Sequence, residues 1–402
     1  MAKSDCADTM ASTHPYPLRV AIMGIRGVPA AHGGFESFAE RLAPFLVQSG
    51  CHVTVYCQED GAGPVTTSRW GEVNRVHIPS GHDTPVASMR FDWHCITHAK
   101  RHRPDVVLIL GYNTAAFAVR LRVAGIPTVI NMDGIEYSRA KWGPLAKAWL
   151  YFNERMGCWL GNDLVADHPV IAKHLATRVA SRKITTIPYG ADVLASSEPD
   201  PLSQLNLTPQ GFATLIARAE PENSVLEIVQ AFSARRRGVK LVVLGNYQPQ
   251  QSAFHAEVMA AASDEVMFPG AIYDPGVVQA LRTHCLFYVH GHQVGGTNPS
   301  LLEAMGAGNA VLAHDNPFNR WVVGDGALYF RDRTSCVDAL ERMLSGAADL
   351  SQMRQDNQQR VGQVFVWQQI LAAYASLLSA VACRTKTRDL LKDKSIWKQH
   401  TT

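Results

Sequence analysis

Between His290 and Asp315 the chain reads HGHQVGGTNPSLLEAMGAGNAVLAHD. Two adjacent glycines, Gly295 and Gly296, precede Thr297, Asn298 and Pro299, and the helical run that follows carries one carboxylate, Glu303. Glycines let a ligand approach the main chain, while free amides and the positive end of a helix dipole favour an anion. Thr297 and Asn298 are suited to cap that helix. A second loop of this kind opens the chain: MGIRGVPAAHGGFESFAERLAPFLVQSG puts Gly33 and Gly34 at a helix start, with Phe35, Phe38, Ala39, Leu42, Phe45 and Leu46 at helical spacing and Gly50 at the stop. A lone glycine pair reads as a tight turn. Two such loops, one per half and each leaving a strand, point to an anionic ligand beyond the carboxyl ends of open sheets. A nicotinamide is disfavoured, because GIRGVPAAHGG lacks the G-x-G-x-x-G spacing and Glu59 and Asp60 lie well beyond the expected acidic position.

Those loops need strands and helices to hold them. Short β-branched runs alternate with amphipathic stretches almost throughout, as expected of parallel strands joined by crossover helices. LRVAIMG, HVTVYC, DVVLIL, TVINMD, DLVAD and ITTIPYG are the strands expected in the first half. FATLIAR, KLVVLG, VMFPG, CLFYVHG, AVLAHD and ALYF repeat the rhythm in the second. Between them ADVLASSEPDPLSQLNLTPQG loses periodicity and gains Ser, Pro and Asp, so a boundary is placed near Pro201. The expected organisation is a disordered leader over 1–17, an α/β domain over 18–200, a second over 201–365, a helix over 366–383 and a basic, solvated tail over 384–402.

The 402 residues, 47% of them hydrophobic, exceed what one core usually fills. A formal charge of +3, from 38 basic and 35 acidic side chains, argues against a nucleic-acid partner. The eight cysteines form neither CxxC pairs nor a disulfide framework, so a reducing cytoplasm is the simplest setting. The leader has no apolar core segment of the signal-peptide kind, and no run is apolar enough to cross a bilayer.

On the motifs IRGVPA..HGGFE and GH.VGGTNPSLLEAM, in this order and separation, the chain resembles retaining nucleotide-sugar glycosyltransferases of family 4 from about Arg19 to Ala382. It is most similar to a branch several members of which are described as rhamnosyltransferases of polysaccharide assembly. The resemblance implies the α/β GT-B fold, two facing Rossmann-like domains with an interdomain cleft and a C-terminal helix crossing back. It implies a nucleotide-diphosphate sugar donor on the second domain and an acceptor, a growing lipid-linked saccharide, on the first. Glu303 would then bond the ribose hydroxyls, a carboxylate being able to accept two donors. Arg218 would bridge the diphosphate with a fixed, permanently charged fork. Gly33, Gly34, His292, Gly295, Gly296, Thr297 and Asn298 complete the donor contacts that it implies. No cofactor and no metal are expected beside the donor, Arg218 and the loop amides supplying positive charge to the leaving group.

Two departures from the family pattern stand out. Asn223 occupies the place where many relatives carry a lysine, and Gly295 that of the first of two glutamates eight residues apart. They keep a second reading open, a catalytically silent nucleotide-sugar-binding subunit of a polysaccharide assembly complex. A nucleotide-sugar epimerase sharing the GT-B fold is a third. On the acceptor side, NMDGIEYSRAKW follows a strand and places Met132 where relatives have the histidine of a His-Asp pair. Asp133 and Glu136 are the catalytic candidates there together with Arg218, and Arg139 joins them in acceptor binding.

His94, His98 and His102 fall at i, i+4 positions and would permit two imidazoles to share a metal, but no paired carboxylate or Cys follows, so they read as a partly charged helix face. His290 and His292 flank Gly291, and either could reach the phosphates. His168, before Pro169, reads as a helix cap. In RAKWGPLAKAW basic residues interleave with Trp142, Leu145, Trp149 and Leu150, a composition able to rest on an anionic bilayer. Peripheral contact with the inner leaflet of the cytoplasmic membrane is therefore added to the cytoplasmic expectation.

Overall fold

The computed structural model describes residues 17–30, 33–82, 84–195 and 197–397, with side chains to residue 385. Apart from Pro17 the expected leader lies outside them, as do the last five residues of the tail. The chain divides into two compact units, Met1–Ile187 with Gln368–Thr402, and Pro188–Trp367.

In the first unit eight described strands form one sheet: β1 (Arg19–Met23), β2 (His52–Glu59), β3 (Thr66–Trp70), β4 (Val73–Pro79), β5 (Val106–Leu110), β6 (Thr128–Asn131), β7 (Asp163–Ala166) and β8 (Ile184–Thr186), in the order β3-β4-β2-β1-β5-β6-β7-β8. All neighbours are parallel except β3 and β4. Every residue of β5, VVLIL, is buried, as a strand covered on both faces requires. The β3–β4 hairpin is absent from the strands expected above. Its TTSRW strand is polar and mostly exposed at the sheet edge, so it carries no apolar run to announce it.

The connecting helices are α1 (Gly34–Gln48), α2 (Pro85–His102), α3 (Val119–Val123), α4 (Pro144–Leu160) and α5 (Pro169–Ala176). Helix α1 buries Phe38, Ala39, Leu42 and Leu46, and Gly50 past its end takes φ +85°, a conformation that favours glycine. His168 caps α5, its Nδ1 accepting the Val170 amide at 3.1 Å.

Within the histidine row on α2, His98 is set apart by its partners and its partial burial. His98 stacks on His102 with ring centroids 3.8 Å apart and bonds the Tyr56 hydroxyl at 3.0 Å. Burial, then the neighbouring His102 and Arg101 charges, push its pKa down to about 4. An unfolded imidazole titrates near 6.5, so between about pH 4 and 6.5 the unfolded chain binds the extra proton. This contribution to stability is present above pH 6.5 and lost as pH falls to 4. The partly buried ring limits it to about 1–3 kcal/mol. Denaturant unfolding of wild type and His98→Phe across pH 4–8 is expected to show a shallower acid loss in the variant; identical pH profiles would refute the assignment.

The second unit holds β9 (Phe212–Ile216), β10 (Lys240–Leu244), β11 (Val266–Gly270), β12 (Tyr288–His290), β13 (Val311–His314) and β14 (Ala327–Phe330), all parallel, in the order β11-β10-β9-β12-β13-β14. Its helices are α6 (Val225–Ser233), α7 (Ala253–Ala260), α8 (Pro275–Thr283), α9 (Pro299–Gly306), α10 (Pro317–Val323), α11 (Arg333–Leu344) and α12 (Leu350–Val364). The division falls before Pro188, ahead of the expected Pro201, because the Ser/Pro/Asp-rich stretch is not a free connection. Asp200–Leu205 winds into a 3-10 turn, and Leu202 and Leu207 pack with Phe212, Val242 and Leu281.

The last helix, α13 (Trp367–Trp397), is longer than the expected 366–383, its backbone continuing through most of the tail. From Gln368 it belongs to the first unit. Tyr374 packs on Phe38 of α1 at 4.6 Å, and Arg384 pairs with Asp163 at 2.6 Å. No described helix is long and apolar enough to cross a membrane.

Candidate functional site

Each unit carries its own group of the residues singled out above. In the second unit, strands β9 and β12 are parallel neighbours, so the segments that leave their carboxyl ends emerge side by side. Arg218 follows β9 and is exposed; the stretch from Gly291 to Asn298 follows β12. Gly291 is the point of closest approach between them. A Cβ built there would meet the Asn223 carbonyl oxygen at 2.0 Å, so only glycine fits. Two hydrogen bonds fasten the same junction: Ser224 Oγ donates to the Gly291 carbonyl at 2.9 Å, and the Gln293 amide to the Glu222 carbonyl at 2.9 Å.

Asn223 does not stand in for a lysine. Its side chain is buried, and Nδ2 donates to the Arg218 carbonyl at 2.8 Å, which shapes the turn that presents Arg218. The choice between the two histidines is also made by burial. His290 is fully buried, stacked on His292 at 4.3 Å, and burial, then His292 and His314, hold its pKa well below the ordinary range. It is a neutral ring. His292 is only partly buried, with its carbonyl fixed by the Asn316 and Asn319 amide groups, each at 2.9 Å.

Gly295 adopts φ +133° with nothing within 4 Å of a built Cβ, so its requirement is conformational. Asn298 caps α9, its Oδ1 accepting the Ser300 amide at 3.1 Å, and Thr297 is buried beside it in the chain. Gly296 stands between them, partly buried. Glu303 lies one turn into α9 with its side chain 41% exposed, and Arg282 at the end of α8 holds it at 2.5 Å. Arg282 was not among the residues expected from sequence; a single Arg late in PGVVQALRT reads as an ordinary C-terminal cation.

In the first unit, Gly33 and Gly34 stand at the start of α1, where Gly33 is the N-cap and offers no side-chain bond. The preceding loop is fixed by two carboxylates of that helix: Glu36 Oε1 accepts the Arg26 amide at 3.0 Å, and Glu40 Oε1 the Ala30 amide at 3.2 Å. Gly24, at φ +88°, passes the Leu110 carbonyl so closely that a Cβ would lie 2.3 Å from it.

The charged loop after β6 is an ordered structure. Asp133 takes φ +44°, and its amide donates to Asn131 Oδ1 at 2.9 Å. Asn131 in turn donates to the Tyr374 hydroxyl at 2.7 Å, so α13 supports this loop. The Glu136 amide donates to the Tyr112 hydroxyl at 2.8 Å, and its carboxylate accepts Arg139 Nη1 at 2.9 Å and Trp142 Nε1 at 3.4 Å. Glu136 and Arg139 therefore clamp the loop that displays Asp133. Asn131 and Tyr374, 243 residues apart, carried no signal of this role in the sequence.

Residues 18–192 match the family described as "Domain of unknown function (DUF1972)", and residues 203–360 the family "Glycosyl transferases group 1". No curated protein matches the chain. Among solved structures it is similar to sucrose-phosphate synthase from Thermosynechococcus elongatus, at 17% identity and a TM-score of 0.76 over 91% of this chain and 100% of that one. An alpha,alpha-trehalose 6-phosphate synthase from Burkholderia multivorans follows at 13% identity and 0.70, covering 92% and 99%. HepE of Anabaena, in complex with UDP, gives 15% and 0.68, covering 91% and 100%. At such identities the likeness shows the fold, and the activity class comes from the domain matched on the second unit. On the GT-B fold the chain thus joins a DUF1972 domain at residues 18–192 to a group 1 glycosyltransferase domain at residues 203–360.

Proposed function

We propose that the protein transfers a deoxyhexose such as rhamnose, with retention, from a nucleotide-diphosphate donor to a hydroxyl of a growing lipid-linked polysaccharide. The observation that carries the donor side is the half-exposed Glu303 carboxylate, held by Arg282 one turn above the Gly295–Asn298 loop, on the strand end neighbouring that of Arg218. A carboxylate so fixed can accept both ribose hydroxyls. Arg218, His292 and the Gly295 and Gly296 amides then face the diphosphate, and the Arg218 charge together with the amide N–H donors stabilises the leaving group as the sugar gains oxocarbenium character. Among neighbours of the same fold, one is seen with UDP, which keeps uridine donors beside dTDP- and GDP-sugars. In the first unit, Gly33 and Gly34 at the start of α1 are candidate anion contacts, and Asp133 is the acceptor-side group, with Glu136 and Arg139 shaping its loop.

Asn223 favours a second reading. Its amide is spent on the Arg218 carbonyl, so the leaving group has one cation fewer than in relatives with a lysine, and a silent donor-binding subunit would look the same. The purified protein, given dTDP-rhamnose, UDP-glucose, UDP-galactose or GDP-mannose with lipid-linked acceptors, is expected to release nucleoside diphosphate from one donor selectively. Donor binding without release under all acceptors would favour the silent subunit. Isomerised sugar in the donor-only NMR spectrum would make it an epimerase, and binding to none would end the donor-site reading.

A further inference from the structure

Helix α4 has two apolar faces, and the fold buries only one of them; on the other, Trp149 alone is tied back, its Nε1 donating to the Asn113 carbonyl at 2.9 Å. Leu150, Gly157, Cys158 and Leu160 are buried against the first unit. On the other side Leu145 is 89% exposed, Trp149 36%, Phe152 48% and Trp159 74%. Their spacing of four, three and seven residues keeps them on a single stripe of the helix. Contiguous exposed apolar stripes of this size mark interaction surfaces.

The charges around the stripe have one sign. Glu154 is the sole acidic residue of the helix, and it is buried, accepting His174 Nε2 at 2.8 Å and Arg178 Nε at 3.1 Å. Arg155 is exposed and Lys147 partly so. At the carboxyl end two more cations are fastened beside Trp159: Lys183 Nζ donates to the Cys158 carbonyl at 2.5 Å, and Arg122 Nη1 to the Leu160 carbonyl at 3.3 Å. The outer face of α4 thus offers Leu, Phe and two Trp, rimmed by cations, with no carboxylate of its own.

We propose that this face docks the first unit on an anionic bilayer surface, with Leu145, Phe152 and Trp159 entering the headgroup boundary and Lys147, Arg155, Lys183 and Arg122 meeting lipid phosphates. Aromatic rings with basic neighbours and no exposed acid match the chemistry of an interfacial helix. A second copy of the chain is the poorer occupant, since a symmetric pairing would bring these cations against one another. The use of the docking rests on the function proposed above, because a lipid-linked acceptor lies at such a surface; the docking itself is measured without it.

The test is flotation of the full chain with vesicles of phosphatidylglycerol and phosphatidylcholine against phosphatidylcholine alone. Wild type is expected to float with the anionic vesicles and at least tenfold less with the zwitterionic ones. Phe152→Glu with Trp159→Glu, and separately Lys147→Glu with Arg155→Glu, are expected to lose at least tenfold in vesicle binding while melting temperature and donor binding by NMR stay unchanged. Leu145→Glu, at the most exposed position, serves if either pair unfolds. Wild type that stays at the bottom with anionic vesicles, or variants that float as well as it does, would overturn the proposal. So would a dimer in sedimentation that the stripe variants dissociate, which would assign the face to a second copy. Flotation with no donor binding would sink the transferase reading and leave the docking standing.

Discussion

Glu303→Ala is expected to weaken donor binding and lower transfer about a hundredfold or more while leaving the fold intact. A hydrogen bond to a charged group contributes about 1.5–3 kcal/mol, so losing two from a ribose amounts to roughly 3–6 kcal/mol, or about two to four powers of ten in affinity. The stability change should be small by comparison. The carboxylate is 41% exposed but Arg282 only 15%, so leaving that guanidinium without its partner costs about 1–3 kcal/mol, above the roughly 0.2–1 kcal/mol of a surface pair yet below the loss in donor binding. Ligand-observed NMR and thermal melting of the same sample separate the two effects. Arg218→Ala should fall in the same assay, because its turn presents an exposed guanidinium, while the bonds that hold the turn run from the Asn223 side chain and the Glu220 amide to the Arg218 carbonyl. Donor binding unchanged in both variants would remove the ligand from this loop altogether.

The second large effect is structural and is expected at Gly291. In Gly291→Ala the new methyl meets the Asn223 carbonyl oxygen at 2.0 Å and Ile228 Cδ1 at 2.7 Å. The first obstacle is backbone, which cannot swing aside as a side-chain tip can, so the cost should reach or exceed the upper end of the usual overpacking range, about 3 kcal/mol. For a unit of this size that is a fall of roughly 6 °C or more in the melting midpoint. Separation of the two segments would also strain the Ser224 and Gln293 hydrogen bonds that join the segments carrying Arg218 and His292. Gly295→Ala makes a useful contrast. Nothing stands within 4 Å of its Cβ, and only φ +133° resists, so the loss should be about 1–3 kcal/mol and local to the loop. An alanine at 291 as stable as wild type would show that the junction is not the constraint on this site.

Much of the architecture is legible in the sequence alone. The twelve β-branched and apolar runs named from sequence are all strands, because a parallel strand covered on both faces must be apolar along its length, and that is a local property. Both glycine loops stand where a strand gives way to a helix, since glycine, Asn-Pro caps and helical spacing are likewise read within a few residues. Strand β3 escaped because an exposed edge strand has no apolar requirement to satisfy, and β4 because its buried Val73, Val76 and Ile78 are interspersed with polar residues and form no continuous apolar run. The Pro201 boundary shifted because composition records the loss of periodicity but not that Leu202 finds a core to join.

Within the site, residue types and order along the chain came from the sequence, and partners came from the fold. That Glu303 is held by Arg282, that Asn223 turns inward to the Arg218 carbonyl, that His290 is a buried neutral ring while His292 is partly exposed, and that Tyr374 supports the Asp133 loop from 243 residues away are all outcomes of packing. The same holds for α4, whose apolar and basic composition was visible from the start but whose outward stripe was not. Periodicity and turn chemistry act over a few residues and are written in the sequence. Burial and hydrogen-bond partners depend on which distant segments the sheet brings together, and only the tertiary structure decides that.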